Sequence, residues 1–314
     1  MIGLSAGLGV VRLGRPYMVS LGRFGMSPSM ATTLRALIDG DASVVAPGVP
    51  DALSARLVER AGFSAVYASG GAIARSMGYP DLGLLGVSEV VERMRLIVEA
   101  VAIPVIADGD TGFGNALNVR RTVQSFVRAG VAALHLEDQV TPKRCGHYES
   151  KALVPAAEMV QKLRAAREAV SDDDLVLIAR TDAIAVEGFE RAIARARQYR
   201  EAGADVLFVE APESVEQIEA IARELPGPKL INMFYGGKTP LVAADRLAEM
   251  GYQIVIIPSD LQRAALRAME DVLVTIKRDG DSHAMADRLA TFQEREAIVD
   301  TARYLELSER YGDE

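Results

Sequence analysis

One cysteine, Cys145, stands among 314 residues. It can form no disulfide within the chain, and a reducing compartment is the default. Histidine is nearly as scarce, and His135, His147 and His283 do not fall with Cys145 at ligand spacing, which argues against a zinc centre. No apolar run reaches the ~18–20 residues of a bilayer span, so no membrane partner is expected. Lys and Arg (35) are outnumbered by Asp and Glu (43), for a net charge of −8. That leaves no electrostatic footprint for nucleic acid. No G-x-G-x-x-G follows the first strand, which removes the dinucleotide fingerprint. Acidic residues are absent from the first 38 positions, which carry Arg12, Arg15, Arg23 and Arg35. This composition fits a mitochondrial transit peptide, or a tail upstream of a later start at Met26 or Met30. The second reading makes the expected location cytoplasmic.

At 49% hydrophobic the chain can bury a large core, and its length suits an α/β barrel of about 250 residues with extensions. Its organisation is a repeat. Four segments run from a helix tail through a glycine into a short apolar strand: ERAGFSAVYAS (59–69), VRAGVAALHLE (127–137), REAGADVLFVE (200–210) and AEMGYQIVIIP (248–258). Gly62, Gly130, Gly203 and Gly251 suit the left-handed position that ends a helix. The strands are nearly continuous in apolar residues, as in a parallel sheet covered on both faces. IPVIAD (103–108), DLVLIAR (174–180) and PKLIN (228–232) add three, and a first strand near Ser43–Pro47 makes eight. Amphipathic helices are predicted near 51–61, 88–101, 117–129, 156–169, 188–202, 214–224 and 243–250. The pattern predicts an α/β fold, a (β/α)8 barrel of TIM type; a doubly wound open sheet is the alternative. The chain divides into an N-terminal extension (1–32), the barrel (33–275) and a C-terminal helical extension (276–314).

Barrel enzymes keep their chemistry one step past each strand. The seventh residue after each repeat glycine is Ser69, Glu137, Glu210 or Pro258, and the other strands end in Asp108 with Asp110, Arg180 with Asp182, and Asn232. Turn formation and capping explain one or two such residues, not a ring. In ADGDTGFGN (107–115), Asp108 and Asp110 stand at i and i+2, a spacing that puts both carboxylates on one side of an extended chain. Glu137 and Asp81 join them. Uncompensated carboxylates at this density repel, and a hard divalent cation, Mg²⁺ or Mn²⁺, relieves that. The alternative is that these acids only cap helices and pair with arginines. Cys145 lies in KRCGH (143–147), flanked by two cations and an imidazole. Such surroundings lower a thiol's pKa and suit proton exchange. Tyr67 ends the second strand beside Ser69, Gly70 and Gly71, whose backbone N–H groups suit a carboxylate. Arg180 and Arg263 are carboxylate forks.

These motifs, SGG (69–71), YPDLG (79–83), DGDTGFG (108–114), LEDQ (136–139), KRCGH and ARTDA (179–183), carry a resemblance over about residues 33–310. The chain resembles the isocitrate lyase/phosphoenolpyruvate mutase superfamily, in its short-chain branch of methylisocitrate lyases, dimethylmalate lyases and oxaloacetate hydrolases. The resemblance implies a barrel whose C-terminal helices are exchanged between subunits of a homotetramer. It implies Mg²⁺ at Asp108, with Asp81, Asp110 and Glu137 holding its water ligands, and a small carboxylate as substrate. It also implies Cys145 as the catalytic cysteine, and Ser69, Gly70, Gly71, Gly146, His147, Arg180, Glu210, Asn232 and Arg263 at substrate-binding positions. The implied reaction is Mg²⁺-dependent cleavage of a carbon–carbon bond in a 2-hydroxy di- or tricarboxylate. Tyr67 takes the hydroxyl proton, Cys145 protonates the carbanion, and the loop around Cys145 acts as a lid. KRCGH marks the carbon–carbon lyases, which sets a phosphonate mutase aside. A silent binding barrel would lack metal carboxylates or the cysteine, and this chain keeps both.

Three positions depart from the methylisocitrate lyase pattern: Phe292 replaces a second substrate arginine, Tyr235 stands for a glutamate, and Asp260 for a serine or threonine. Asp260 is three residues before Arg263 and can pair with it on a helix. With Phe292, Tyr235 and Phe234 near the pocket, the expected substrate is a dicarboxylate of the alkylmalate type. Met285, Leu289, Phe292, Ile298, Ala302 and Leu305 fall at helical spacing and are expected to bury one face on a neighbouring subunit.

Overall fold

A computed structural model of the protein describes residues 29–146 and 150–312. The arginine-bearing segment 1–28 and His147 lie outside the described residues. Eight parallel strands close in sequential order into a barrel, which sets aside the open sheet. They are β1 (Val44–Val49), β2 (Val66–Ala68), β3 (Val105–Asp108), β4 (Ala133–Glu137), β5 (Val176–Thr181), β6 (Val206–Val209), β7 (Lys229–Asn232) and β8 (Ile254–Ile257). Ahead of the first strand lies α1 (Met30–Ile38). Around the barrel lie α2 (Ala52–Arg60), α3 (Gly70–Ser76), α4 (Val87–Ala100), α5 (Ala116–Arg128), α6 (Ala156–Arg167), α7 (Ile184–Glu187), α8 (Phe189–Glu201), α9 (Val215–Glu224) and α10 (Ala244–Met250). Each predicted helix is present to within two residues. Gly62, Gly130, Gly203 and Gly251 adopt φ of +90°, +89°, +105° and +94°, the left-handed stop that a side chain resists.

Alternation along each strand builds two cores. One fills the barrel with Ile106, Ile178, Phe208, Leu230, Ile254 and Ile256. The other lies between barrel and helices, where Leu134, Leu136 and Leu177 meet Met94, Phe126 and Leu163. Both faces of the strands are therefore largely apolar, and the polar residues fall mostly at the strand ends; His135, midway along β4, packs against Tyr67 and Phe208.

Three boundaries differ from the sequence reading. The barrel begins three residues earlier than residue 33, because α1 is part of it. Ser29 caps α1 by accepting from Thr32 N (3.1 Å), and Leu34 and Ile38 join the core inside the barrel. α11 (Asp260–Asp279) runs through the expected division at 275 and stops only at Gly280, with φ +82°. The stretch expected as one helical face breaks into a 3₁₀ turn (His283–Arg288), α12 (Phe292–Ile298) and α13 (Thr301–Tyr311). Asp300, with φ +58°, sits at the second break. Leu273 of α11 and Leu305 of α13 are 65% and 60% exposed, so this apolar surface has no partner within the described residues. No helix among them is long and apolar enough to cross a membrane.

Because Leu34 is fully buried, Leu34→Ala is expected to lower the unfolding free energy by about 2–5 kcal/mol in a denaturant titration. A loss well below that range would mean that α1 only rests on the barrel.

Candidate active site

The strand ends open into a cleft of about 360 Å³. Its floor is set by sheet register. Tyr67 pairs with Ile106, Asp108 with His135, and Glu137 with Arg180 on adjacent strands, so the polar termini of β2 to β5 rise side by side. Tyr67, Ser69, Gly71, Asp81, Asp108, Cys145, Gly146, Arg180, Glu210, Asn232 and Arg263 all line the cleft. Gly70, Asp110 and Glu137 stand just behind this lining.

Asp108 accepts three hydrogen bonds. Its Oδ2 accepts from Gly70 N (3.1 Å) and the Tyr67 hydroxyl (3.3 Å), and its Oδ1 from Asp110 N (3.0 Å). A Cβ on Gly70 would lie 2.7 Å from Asp108 Oδ2, so glycine is needed for this approach. One backbone N–H of the SGG turn, expected to receive a substrate carboxylate, thus serves the protein's own Asp108. The extended-chain argument for Asp108 and Asp110 also needs correction. Asp110 has φ +46°, so a left-handed turn, not i/i+2 alternation, turns its carboxylate towards the cluster.

At the centre of the acids is Lys143. Its Nζ lies 2.6 Å from Asp81 Oδ1 and 3.0 Å from Asp110 Oδ1. Burial opposes its charge, but Asp110, Asp108, Asp81 and Glu137 outweigh that and keep the ammonium well protonated. Lys143 was read as a cation flanking the thiol; the structure turns it to the carboxylates instead. Burial, with Asp108 and Asp81 beside it, pushes the Asp110 carboxyl up to about 6 despite Lys143. Burial likewise raises Glu137 well above the usual range, although Arg180 favours its charge. Asp108 differs: burial disfavours its charge, but the facing His135, Lys143 and Arg180 hold its carboxyl below the usual range.

Tyr67 and His135 complete the floor. Their polar atoms are 2.8 Å apart, and His135 Nε2 also lies 3.3 Å from Asp108 Oδ1. Burial and then Asp108 raise the Tyr67 phenol well above its usual value, so in this setting it holds its proton and donates. His135 gave no sequence signal beyond its place in LHLED, because only the register shows what it faces.

Arg180 is positioned by a buried network. Its Nε donates to Asp182 Oδ2 (2.9 Å), and Lys151 Nζ donates to Asp182 Oδ1 (3.0 Å). Lys151 also donates to the carbonyl of Gly146, tying the cysteine loop to the β5 rim. Behind them Asp138 accepts from the Thr181 hydroxyl (2.7 Å), the Asp182 amide (3.0 Å) and the Tyr199 hydroxyl (2.8 Å). Sequence reading had Asp138 only as a letter of LEDQ and had no role for Lys151. Cys145, half-buried, reaches the cleft. Asn232 Nδ2 donates to Glu210 Oε1 (3.3 Å).

Arg263 does pair with Asp260, at 3.4 Å, and its Nη1 also donates to the Tyr235 carbonyl (2.5 Å). Phe234 and Tyr235 line the cleft as expected. Phe292 does not. It is 71% exposed on α12, a helix held against the end of α2 by a bond from Arg60 to the Ala297 carbonyl (2.8 Å). The chain's own fold keeps it away from its own cleft.

Among the described residues, no three His, Cys, Asp or Glu side chains are arranged to hold a metal directly. The acids nevertheless suit a cation held largely through water. Neither oxygen of buried Glu137 receives a hydrogen bond from a described residue, and Asp81 and Asp110 gather on one ammonium beside Asp108. A fully hydrated or partly hydrated Mg²⁺ uses such outer oxygens.

An acid-rich cleft at the carboxyl ends of eight parallel strands, with arginines and a thiol at its wall, defines a barrel enzyme acting on small anions. Residues 34–277 match the family model for phosphoenolpyruvate phosphomutase, and the chain belongs to that family, within the PEP mutase/isocitrate lyase superfamily. It is 43% identical over 283 residues to 2,3-dimethylmalate lyase of Eubacterium barkeri, covering 90% of this chain and 98% of that one. A solved structure of a 2,3-dimethylmalate lyase matches with TM-score 0.85 and 39% identity, over 90% of this chain and 96% of that one. The 2-methylisocitrate lyase of Aeropyrum pernix is 48% identical over 258 residues, 82% of this chain and 83% of the relative. Phosphonopyruvate hydrolase in complex with oxalate and Mg²⁺ matches with TM-score 0.82 and 34% identity, over 91% of this chain and all of that one.

Burial lowers the His135 ring to about 4, against the pull of Asp108. Folding therefore excludes the proton: the contribution to stability is complete above the unfolded value near 6.5 and falls as the pH drops below it. An NMR titration is expected to show this ring neutral down to about pH 5. A midpoint near the unfolded value would place the ring in water.

Proposed function

We propose that the chain is a carbon–carbon lyase that cleaves a 2-hydroxy dicarboxylate of the alkylmalate type into a 2-oxo acid and a second carboxylate, with Mg²⁺ as cofactor and Mn²⁺ able to replace it. The observation that carries this reading is the meeting, in one cleft, of a carboxylate cluster around Lys143, the anchored Arg180 and the Cys145 thiol. Relatives that cover 90% and 82% of the chain are lyases of dimethylmalate and methylisocitrate.

Asp108 would hold the cation, with Asp81, Asp110 and Glu137 on its waters. When bound, it would supply positive charge that favours ionisation of the substrate hydroxyl and of Tyr67, which burial and then Asp108 otherwise keep protonated. With the cation bound, Tyr67 in its ionised form would be placed to take the hydroxyl proton, with His135 fixing its orientation. Arg180, held by Asp182, presents its remaining donors to a substrate carboxylate, beside Ser69, Gly70, Gly71, Gly146, Glu210 and Asn232. The bond between the hydroxyl-bearing carbon and its neighbour breaks, leaving the electron pair on the neighbour. Cys145 delivers the proton that quenches this carbanion. Its loop, fastened through Lys151 to Asp182, keeps water away meanwhile.

The unpartnered apolar surface of α11 to α13 supports a homo-oligomer, a tetramer by the family resemblance, in which these helices pack on a neighbour. The single cysteine supports a cytoplasmic location, with a mitochondrial one dependent on residues 1–28.

The direct test is 2,3-dimethylmalate cleavage in chelator-treated protein. EDTA should abolish pyruvate release and Mg²⁺ restore it, and Cys145→Ala should lower kcat by at least ~10²-fold while substrate still binds. Full turnover without metal, or in Cys145→Ala, would sink the site assignment.

Substrate choice follows from Arg263. With that arginine tied to Asp260 and Tyr235, a tricarboxylate leaves one carboxylate short of a partner, at ~10–100-fold in kcat/KM. The pair is half-exposed, so freeing Arg263 by Asp260→Ala should improve methylisocitrate cleavage by no more than roughly fivefold. Wild-type protein that cleaves methylisocitrate ~10-fold better than dimethylmalate would refute the charge argument.

A further inference from the structure

The cleft's cations differ in how far their hydrogen bonds are already used. Lys143 is fixed between Asp81 and Asp110, Arg180 is clasped by Asp182, and Arg263 is tied to Asp260 and the Tyr235 carbonyl. Arg75, near the end of α3, lines the same cleft. Its guanidinium makes no hydrogen bond among the described residues. Its nearest anion is Asp81 Oδ2, 4.0 Å from Nη2, beyond hydrogen-bond reach, and the other oxygen of Asp81 already accepts from Lys143.

The Arg75 head group nevertheless lines the cleft. It lies back over the first turn of α3, where a Cβ on Gly71 would come within 2.9 Å of its Nη1. The same Cβ would lie 2.7 Å from Asp81 Oδ2, so glycine at 71 lets both side chains approach the turn. The Arg75 side chain is 38% exposed, against 10% for Arg180 and 6% for Lys143. Arg180 and Asp108 therefore define the floor, and Arg75 the mouth. A substrate whose hydroxy-acid end sits on the floor directs its far end outward, to a planar cation with free donors that match a carboxylate.

We propose that Arg75 is the specificity-determining residue for the distal carboxylate of the substrate. The assignment rests on reading the cleft as a site for 2-hydroxy dicarboxylates, but it predicts a binding preference separable from turnover. Arg75 grips the carboxylate remote from the hydroxyl, the one that leaves on the second product. The competing role, a counter-charge that only steadies Asp81, would affect every ligand of the floor alike.

Calorimetry in Mg²⁺ with two probes distinguishes these roles: malate, which has the distal carboxylate, and lactate, which shares the 2-hydroxy acid end and lacks it. Wild-type protein should prefer malate. Arg75→Gln should weaken malate binding by ~10–100-fold and leave lactate unchanged, and Arg75→Lys should recover part of the loss. With a cleaved dicarboxylate, Arg75→Gln should raise KM far more than it lowers kcat. Equal losses for both probes, no loss for either, or no malate preference in the wild type would each overturn the assignment. If the wild type cleaves no 2-hydroxy dicarboxylate while the malate preference still depends on Arg75, the lyase reading falls and the role of Arg75 stands.

Discussion

Four carboxylates face one ammonium at the rim of this barrel, and the site depends on that balance. Asp81 and Asp110 contact Lys143 directly, while Asp108 and Glu137 act on it from further off, and all four keep the buried amine charged. Burial raises the Asp110 and Glu137 carboxyls, and the neighbouring carboxylates add to that rise. Lys143 belongs to the loop that carries Cys145, so the charge that holds the acids together also fixes where that loop meets the barrel.

A second ionic assembly works on the other wall. Asp182 receives Arg180 and Lys151 at once, and Asp138 braces the backbone of Asp182 from behind. Removing any member would strand a buried charge, which costs far more than the pair itself stabilises. The result is an arginine whose orientation is set before any substrate arrives, the preorganisation on which electrostatic catalysis relies. Lys151 extends the same network to the carbonyl of Gly146, so both walls of the cleft grip the cysteine loop.

The apolar strands make this concentration of charge possible. With both faces of the strands packed, the polar groups of β3, β4 and β5 other than His135 collect at the strand ends. Closure of the barrel then brings those ends into one ring. The cost of desolvating so many ions is met by pairing them with one another, and the cleft lining mixes these pairs with Phe234, Tyr235 and Leu266.

How much of this was legible follows from the range of each interaction. The eight strands, the helices between them and the residues at the strand tips were readable because glycine stops and apolar runs act over a few neighbouring positions. Family motifs located Asp108, Glu137, Cys145 and Arg180. What Lys143 faces was not readable, since a lysine beside a cysteine in sequence can point to the thiol or away from it. Nor was the turn at Asp110, because a positive φ on aspartate depends on what its carboxylate gains elsewhere. His135, Asp138 and Lys151 acquire meaning only from partners tens of positions distant. Phe292, close to the pocket in expectation, is carried away from it by the packing of α12 on α2. Local chain chemistry determined the barrel and the ring of residues at its mouth; long-range charge pairing, which only the closed barrel brings within reach, decided which of them face one another.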